Sequence, residues 1–438
     1  MNLSIEKNEN NVITGLFLLD ALLNNKKLLH ECSLNDTVVI CAHHALKTLD
    51  NLLIALFYLG MRPENTFILT KFYSDYQPII TRIKNYGIYY QEHLVSSKLG
   101  EFEELFLSET RLLWEEVVKR LDKQHSIRNI LIIDHGGYAN STIPIKLLYK
   151  FKVIGLEKTT GGIINFAQQK RSFLFPIINV AGCAAKKFLE SALIADAVVN
   201  KLSPVIPVAT KTTNCGIVGY GTIGKALSNK LLNLGHNVII YDNDYRKIIK
   251  LNAVSNSKCA FSLNDLINHS DLIFGCSGQD ITLSVKSLNI FQQNKTFISC
   301  SSGDREFLTL LQLIQQKNIN SSLINPLDDV FYKNIQGAEI KILRGGFPYN
   351  FDCSGESVPA NEIQLTRALA LSGVIQAIKI LKNSNYNLKE KNFLTLDADL
   401  QKFIAEKWLT TQYQNKYSLN LIKNFQSIKW IIENSSGK

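Results

Sequence analysis

The sequence predicts an α/β protein built on two parallel sheets, and three observations carry that expectation. Between residues 37 and 157, short apolar runs alternate with segments of helical apolar spacing. Around residue 219 a glycine-rich turn separates one such run from a helix and a second run. The 438 residues, 46% hydrophobic and 20% charged, are enough for two or three buried cores without a fibrous or disordered bias.

In chain order, Ile13–Leu23 is an apolar patch interrupted by Asp20, read as a core helix and not as a leader. Thr37–Cys41 is a buried strand, and Ala45–Leu59 a helix with Leu46, Leu49, Leu53 and Leu56 at helical spacing. Thr66–Leu69 is a second strand, and Arg111–Leu121 an amphipathic helix with Glu115 and Glu116 on its polar side. Asn129–Asp134 is a third strand, running into His135-Gly136-Gly137. Such alternation makes a parallel, flavodoxin-like sheet, whose ligands bind at the carboxyl ends of strands. Asp134 and His135 lie at such an end; a histidine satisfied within a loop reads the same way. In Val153–Gly162, Thr159, Thr160 and Gly161 offer hydroxyls and amides that suit a phosphate or a nicotinamide ribose, although an ordinary loop has that composition too.

The second domain is expected over residues 196–352. Cys215–Val218 is a strand, Gly219, Gly221 and Gly224 form a G-x-G-x-x-G turn, and Lys225–Leu234 is a helix stopped by Gly235. Val238–Ile240 is the next strand, with Asp242 at its end, 18 positions beyond the third glycine. The first glycine makes the tight turn, the second admits a pyrophosphate, and the third lets helix and strand pack. The first helical amides, at Thr222 and Ile223, aim at the phosphates. Asp242 accepts ribose hydroxyls and repels a 2′-phosphate, so the expected cofactor is NAD, not NADP. Two further strands run into small-residue loops, one ending at Ser277 and Gly278, the other at Ser302 and Gly303. Glu362–Leu381 is a long helix, and the segment 386–438 is expected to be helical.

Composition excludes several partners. The net charge of +10 comes from dispersed lysines, as in Tyr245–Lys250, which reads as a solvated basic surface and not a nucleic-acid site. The eight cysteines contain no C-x-x-C pair, the pattern of reduced cytoplasmic thiols without a disulfide or metal framework. The apolar runs Leu16–Leu19 and Ile54–Leu59 are too short for a membrane span. His236 and His269, at helix ends, read as surface residues. The expected partner is a small-molecule substrate.

With these pieces in order, the sequence resembles the S-adenosylhomocysteine hydrolase superfamily over roughly residues 35–380. Cys41-Ala-His-His-Ala-Leu-Lys-Thr48 resembles its C-L-H-M-T-V-x-T segment, Asp134-His-Gly-Gly137 its D-D-G-G turn, and Glu157-Lys-Thr-Thr-Gly-Gly162 its E-E-T-T-T-G loop. Phe175-Pro-Ile-Ile-Asn-Val180, Gly219–Lys225 and Gly346–Cys353 match three more segments. The resemblance implies a substrate domain (residues 1–195, with 353–385 returning to it) beside a central NAD domain, with a cleft between them. It also implies a cycle in which held NAD oxidises a ribose hydroxyl, a thiol is eliminated, water adds and the hydride returns.

Carried over residue by residue, Thr159 and Thr160 fall on the cofactor-binding threonine loop, Asp242 on the ribose acid and Asn350 on the asparagine that holds the carboxamide. Lys186 falls on the catalytic lysine. The substrate side departs from the family: its catalytic Asp falls on His135, its second Glu on Lys158 beside Glu157, and its nucleoside contacts on Ala45 and Lys47 beside the surviving His43. The two Gly-His turns fall on Gly303-Asp304 and on Glu356-Ser357. Asp→His and Glu→Lys exchanges invert local charge, so the substrate is expected to differ. One expectation is an enzyme oxidising a hydroxyl carbon, with Lys186 polarising the oxygen and His135, Asp134 or Asp304 taking the proton; Glu356 completes the candidate set. The alternatives are the ordinary hydrolase and a non-catalytic NAD-binding partner protein. Analogy of fold points to a homodimer or tetramer.

Overall fold

The computed structural model describes residues 12–94, 99–124, 126–168, 174–203, 212–252, 258–317, 325–383 and 393–414. The strands among them are, in chain order, β1 (Thr37–His43), β2 (Thr66–Thr70), β3 (Tyr89–Tyr90), β4 (Asn129–Asp134), β5 (Lys152–Glu157), β6 (Ile177–Asn179) and β7 (Asn214–Val218). They continue as β8 (Asn237–Tyr241), β9 (Lys258–Cys259), β10 (Leu272–Gly275), β11 (Lys295–Ser299), β12 (Val330–Lys333), β13 (Glu339–Ile342) and β14 (Phe393–Thr395). Among the described residues, those up to His93, Leu107–Glu190 and those from Cys353 onward form one compact unit. Leu94–Phe106 and Ser191–Asp352 form the other.

The first unit holds a sheet of order β14-β6-β5-β4-β1-β2-β3, parallel at each described pairing. Its central strands are unbroken β-branched and leucine runs, Val38-Val39-Ile40 and Ile130-Leu131-Ile132-Ile133, all buried. That pattern suits strands covered on both faces. The helix Ala360–Lys382 starts at Pro359 and packs on β4 and β5, its Gly373 lying close over Leu156. It is long and apolar enough to cross a bilayer, yet 78% of its apolar window is buried inside the protein. Each fully buried Leu or Ile there contributes about 1.5–3 kcal/mol.

The second unit has the order β12-β13-β11-β10-β7-β8-β9, parallel except for the antiparallel β12–β13 pair. Leu266, Ile273, Phe297, Phe307 and Leu310 fill one apolar cluster, and Val198, Ile217, Leu227, Phe274 and Ile298 another. In each sheet the chain builds outward to one edge and then crosses back. The strand order therefore reverses between β1 and β4, and again between β7 and β10, the positions where doubly wound sheets bind ligands.

Several expectations need correction. The two-sheet α/β class holds, but the first sheet runs 3-2-1-4-5-6 and not in the flavodoxin order 2-1-3-4-5, because β3 extends the β2 edge before the chain returns beside β1. The helix expected at Ala45 is Lys47–Tyr58, since Leu46 is extended (φ −96°, ψ 161°). The helix expected at Arg111 begins at Phe102, and the patch Ile13–Leu23 is helical only over Phe17–Leu23. His236 is buried, accepting the Thr213 amide, whereas His269 is exposed. Of the C-terminal segment expected to be helical, 393–395 is the edge strand β14 and Ala398–Gln414 a helix; 386–392 and 415–438 lie outside the described residues.

Candidate functional site

In the second unit, β7 runs into the glycine turn and the helix Thr222–Asn233. Gly219 has φ +96°, and a Cβ there would lie 2.7 Å from the Cys276 carbonyl carbon. A Cβ on Gly224 would lie 2.0 Å from the Gly219 carbonyl oxygen. Both glycines are thus required by the chain's own packing. Gly221 is different: its φ of −79° and ψ of −163° suit any residue, and a Cβ there would meet nothing within 4 Å. Its missing side chain leaves open the space in front of the Thr222 and Ile223 amides, so the residues fit a pyrophosphate.

Asp242, at the end of β8, is buried and accepts the Tyr220 amide at 2.7 Å and the Asp244 amide at 2.8 Å. The Lys247 ammonium pairs with it at 2.9 Å. The loop after β10 is held from below by Glu306, which the sequence did not single out. Its carboxylate accepts the Gly278 amide and the hydroxyls of Ser277 and Ser301. Burial pushes Glu306 up to about 7. Gly275 makes room for it, since a Cβ there would lie 2.8 Å from the carboxylate; a glycine closing an otherwise apolar strand was the readable signal. Ser302 is half-buried and Gly303 has φ +78°. Asp304 is buried, accepts the Phe102 amide and is pushed by burial to about 6. Asn350 is buried beside the end of β11, where Tyr349 bonds Ser299, and its side-chain amide bonds no described residue.

In the first unit the reversal point between β1 and β4 carries a buried polar cluster. It joins His43 at the end of β1, Lys71 after β2, Asp134 at the end of β4, and Glu157 and Lys158 at the end of β5, with half-buried His135 following Asp134. The sequence missed His44, Ser74, Lys71 and Arg367. Arg367 was hidden in an apolar helical stretch, and Ser74 in a short turn.

Hydrogen bonds fix the proton positions. The Ser74 hydroxyl donates to the Lys71 carbonyl at 2.9 Å, so it accepts from Nδ1 of His44 at 2.6 Å. Nε2 of His44 then carries the lone pair and accepts from Nε2 of His135 at 3.2 Å. His135 is left with Nδ1 as a lone-pair nitrogen bonded to no described residue. Nε2 of His43 lies 3.0 Å from the Arg367 guanidinium, and its Nδ1 meets the backbone of His44, 2.8 Å from the amide and 3.0 Å from the carbonyl. Burial, followed by the nearby lysines and Arg367, holds His43 and His44 well below the usual imidazole range. His135 is lowered in the same way, by burial and then by Lys71. Asp134 and Glu157 are both pushed up, first by burial and, for Asp134, next by its neighbour Glu157.

The remaining predicted residues have defined partners. Lys186 sits on a π turn (Lys186–Glu190) paired with Glu190. Glu356 accepts the Thr48 amide and hydroxyl, closing the start of the helix Lys47–Tyr58. Lys47 lies over the Tyr76 ring, its ammonium 5.3 Å from the centroid. Thr159 donates its amide and hydroxyl to Glu157, and Thr160 opens the helix Thr160–Gln168. Thr159, Thr160, Lys186 and the histidines thus belong to the first unit, whereas the glycine turn, Asp242, Asp304 and Asn350 belong to the second.

Residues 214–303 match the family model described as NADP oxidoreductase, coenzyme F420-dependent. An uncharacterized protein of Mycobacterium tuberculosis is 26% identical over 83% of this chain and 68% of its own length. The adenosylhomocysteinase of Thermoplasma acidophilum is 23% identical over 67% of this chain and 70% of that protein. Among solved structures, one from Ralstonia solanacearum, described as a D-3-phosphoglycerate dehydrogenase oxidoreductase, aligns with TM-score 0.36 at 11% identity. It covers 80% of this chain and 96% of that one.

Proposed function

We propose that this chain is an NAD-dependent oxidoreductase of the adenosylhomocysteinase type, acting on a hydroxyl carbon of a small polar metabolite such as a nucleoside or thioether. The observation that carries the reading is Gly221, whose bare backbone serves no internal packing and fits a bound pyrophosphate. Similarity to an NADP oxidoreductase model over the same segment, and to adenosylhomocysteinases over two thirds of the chain, supports the same class. Asp242 favours NAD, because a 2′-phosphate beside a buried carboxylate is repelled. Lys247 offsets part of that charge, so the two nicotinamide forms must be compared directly.

When bound, the dinucleotide supplies a hydride acceptor. This chain's residues do the rest. Thr222 and Ile223 amides hold the phosphates, and Asn350 is free to hold a carboxamide. Nδ1 of His135 takes the hydroxyl proton, while His44 and Ser74 fix its tautomer. Lys186, held in place by Glu190, steadies the developing alkoxide.

The test is to purify the protein without added cofactor, denature it and quantify released NAD, NADH and their phosphorylated forms. Near-stoichiometric NAD is expected, together with substrate-dependent reduction that His135→Asn and Lys186→Ala abolish without lowering cofactor content. A chain that neither retains nor binds a dinucleotide ends the proposal.

A further inference from the structure

The cluster at the β1/β4 reversal holds a buried ammonium that none of its carboxylates bonds. Lys158 is 1% exposed, and its ammonium nitrogen has no hydrogen-bond partner among the described residues. Arg367, 4% exposed, donates to the Thr48 hydroxyl at 2.8 Å and to neutral His43, and bonds no carboxylate. Glu356 and Glu190 act on Arg367 through their charge without bonding it. Lys186 pairs with Glu190, and Glu356 is bound by the Thr48 amide and hydroxyl. Lys71 faces the Asp134–Glu157 pair, whose members oppose each other's ionisation.

An ammonium buried without a partner costs several kcal/mol, so chains rarely keep one unless a ligand completes it. Burial, with Arg367 next in weight, holds Lys158 down at about 7, so it takes up a proton readily when an anion arrives. A metal ion is the wrong occupant: two cations lie near one another here, and among the described residues no three His, Cys, Asp or Glu side chains are placed to hold a metal ion. Lys158 and His43 stand at the carboxyl ends of β5 and β1, on either side of His135 at the end of β4.

We propose that the substrate of the first unit carries an oxyanion, a carboxylate or a phosphate, received by Lys158 and Arg367. This rests on the reading that the first unit holds the substrate, and it deepens that reading by naming the substrate's charge. The oxyanion docks on the ammonium and guanidinium, and the neighbouring hydroxyl of the same molecule is the one presented to His135. An uncharged nucleoside or thioether leaves Lys158 unanswered.

The test uses the full chain as purified, titrated by calorimetry with inorganic phosphate and, separately, with acetate. Saturable binding of at least one anion is expected, with a drop of tenfold or more in Lys158→Met and a drop of threefold or less in Lys158→Arg. Tighter phosphate assigns a phosphoryl group, and tighter acetate a carboxylate. Retained NAD is measured on the same samples and is expected to be equal in all three. Removing an unanswered buried charge also leaves the melting temperature of Lys158→Met equal to or above wild type. The proposal falls if wild type binds neither anion, if Lys158→Met binds as wild type does, or if Lys158→Met fails to fold, which would reveal a structural partner. Anion binding without NAD would instead remove the cofactor reading and leave this one standing.

Discussion

Three glycines of one turn do three different jobs, and they can be separated one residue at a time. Gly219→Ala puts a Cβ into the Cys276 backbone at a positive φ, so a loss of roughly 2–4 kcal/mol is expected from strain and overpacking together. Gly224→Ala meets the Gly219 carbonyl and belongs with it. Gly221→Ala adds a methyl group where the chain leaves space, at backbone angles alanine adopts freely. Its unfolding free energy is expected within about 0.5 kcal/mol of wild type, while its retained dinucleotide falls at least tenfold. Equal cofactor content in Gly221→Ala and wild type would show that nothing approaches that backbone.

At the scale of elements, His93 joins parts of the first unit that the sheet alone does not connect. It lies after β3 and bonds Asp75, beyond β2, at 2.9 Å and Glu109, in the helix Phe102–Leu121, at 3.1 Å. Burial disfavours its charge, but the two carboxylates prevail and raise it to about 9. A base raised in the folded state stabilises fully below its unfolded value near 6.5 and loses that contribution as pH rises through 9. Urea unfolding is therefore expected to show roughly 2 kcal/mol more pH-dependent loss between pH 6 and 9.5 in wild type than in His93→Gln; parallel curves would remove the clamp. None of this was legible in the sequence, because His93, Asp75 and Glu109 share no spacing that periodicity detects. What was legible is what periodicity does detect. The unbroken Val/Ile/Leu runs of β1 and β4 announce strands covered on both faces, and the glycine turn after β7 announces its helix. The two-residue strands β3 and β9 are too short to carry a pattern, and the edge strand β14 follows residues of no marked apolar run.

For the whole molecule, the two sheets repeat one order over their first five strands, and each has its polar or glycine-rich residues gathered where that order reverses. The candidate site was half legible for this reason. Residues adjacent to a recognisable strand end, such as Asp134, His135, Glu157 and Asp242, were named from sequence, whereas Arg367 and Glu306 reach the same places from distant helical turns. Two reversal points imply two separable ligand responses. A ligand that binds only the folded state stabilises it by about 2.7 kcal/mol at a hundredfold excess over its dissociation constant. That stabilisation slows amide exchange most in the elements the ligand touches. Compared with a sample stripped of dinucleotide, NAD is therefore expected to slow exchange most in β7, at the start of the helix Thr222–Asn233 and in the loop after β10. Phosphate or acetate is expected to slow it most at the ends of β1, β4 and β5. In Gly221→Ala the first pattern should fade and the second persist, and in Lys158→Met the reverse. If NAD instead protected the ends of β1, β4 and β5 and left residues 219–224 exchanging as before, the dinucleotide would have been assigned to the wrong sheet.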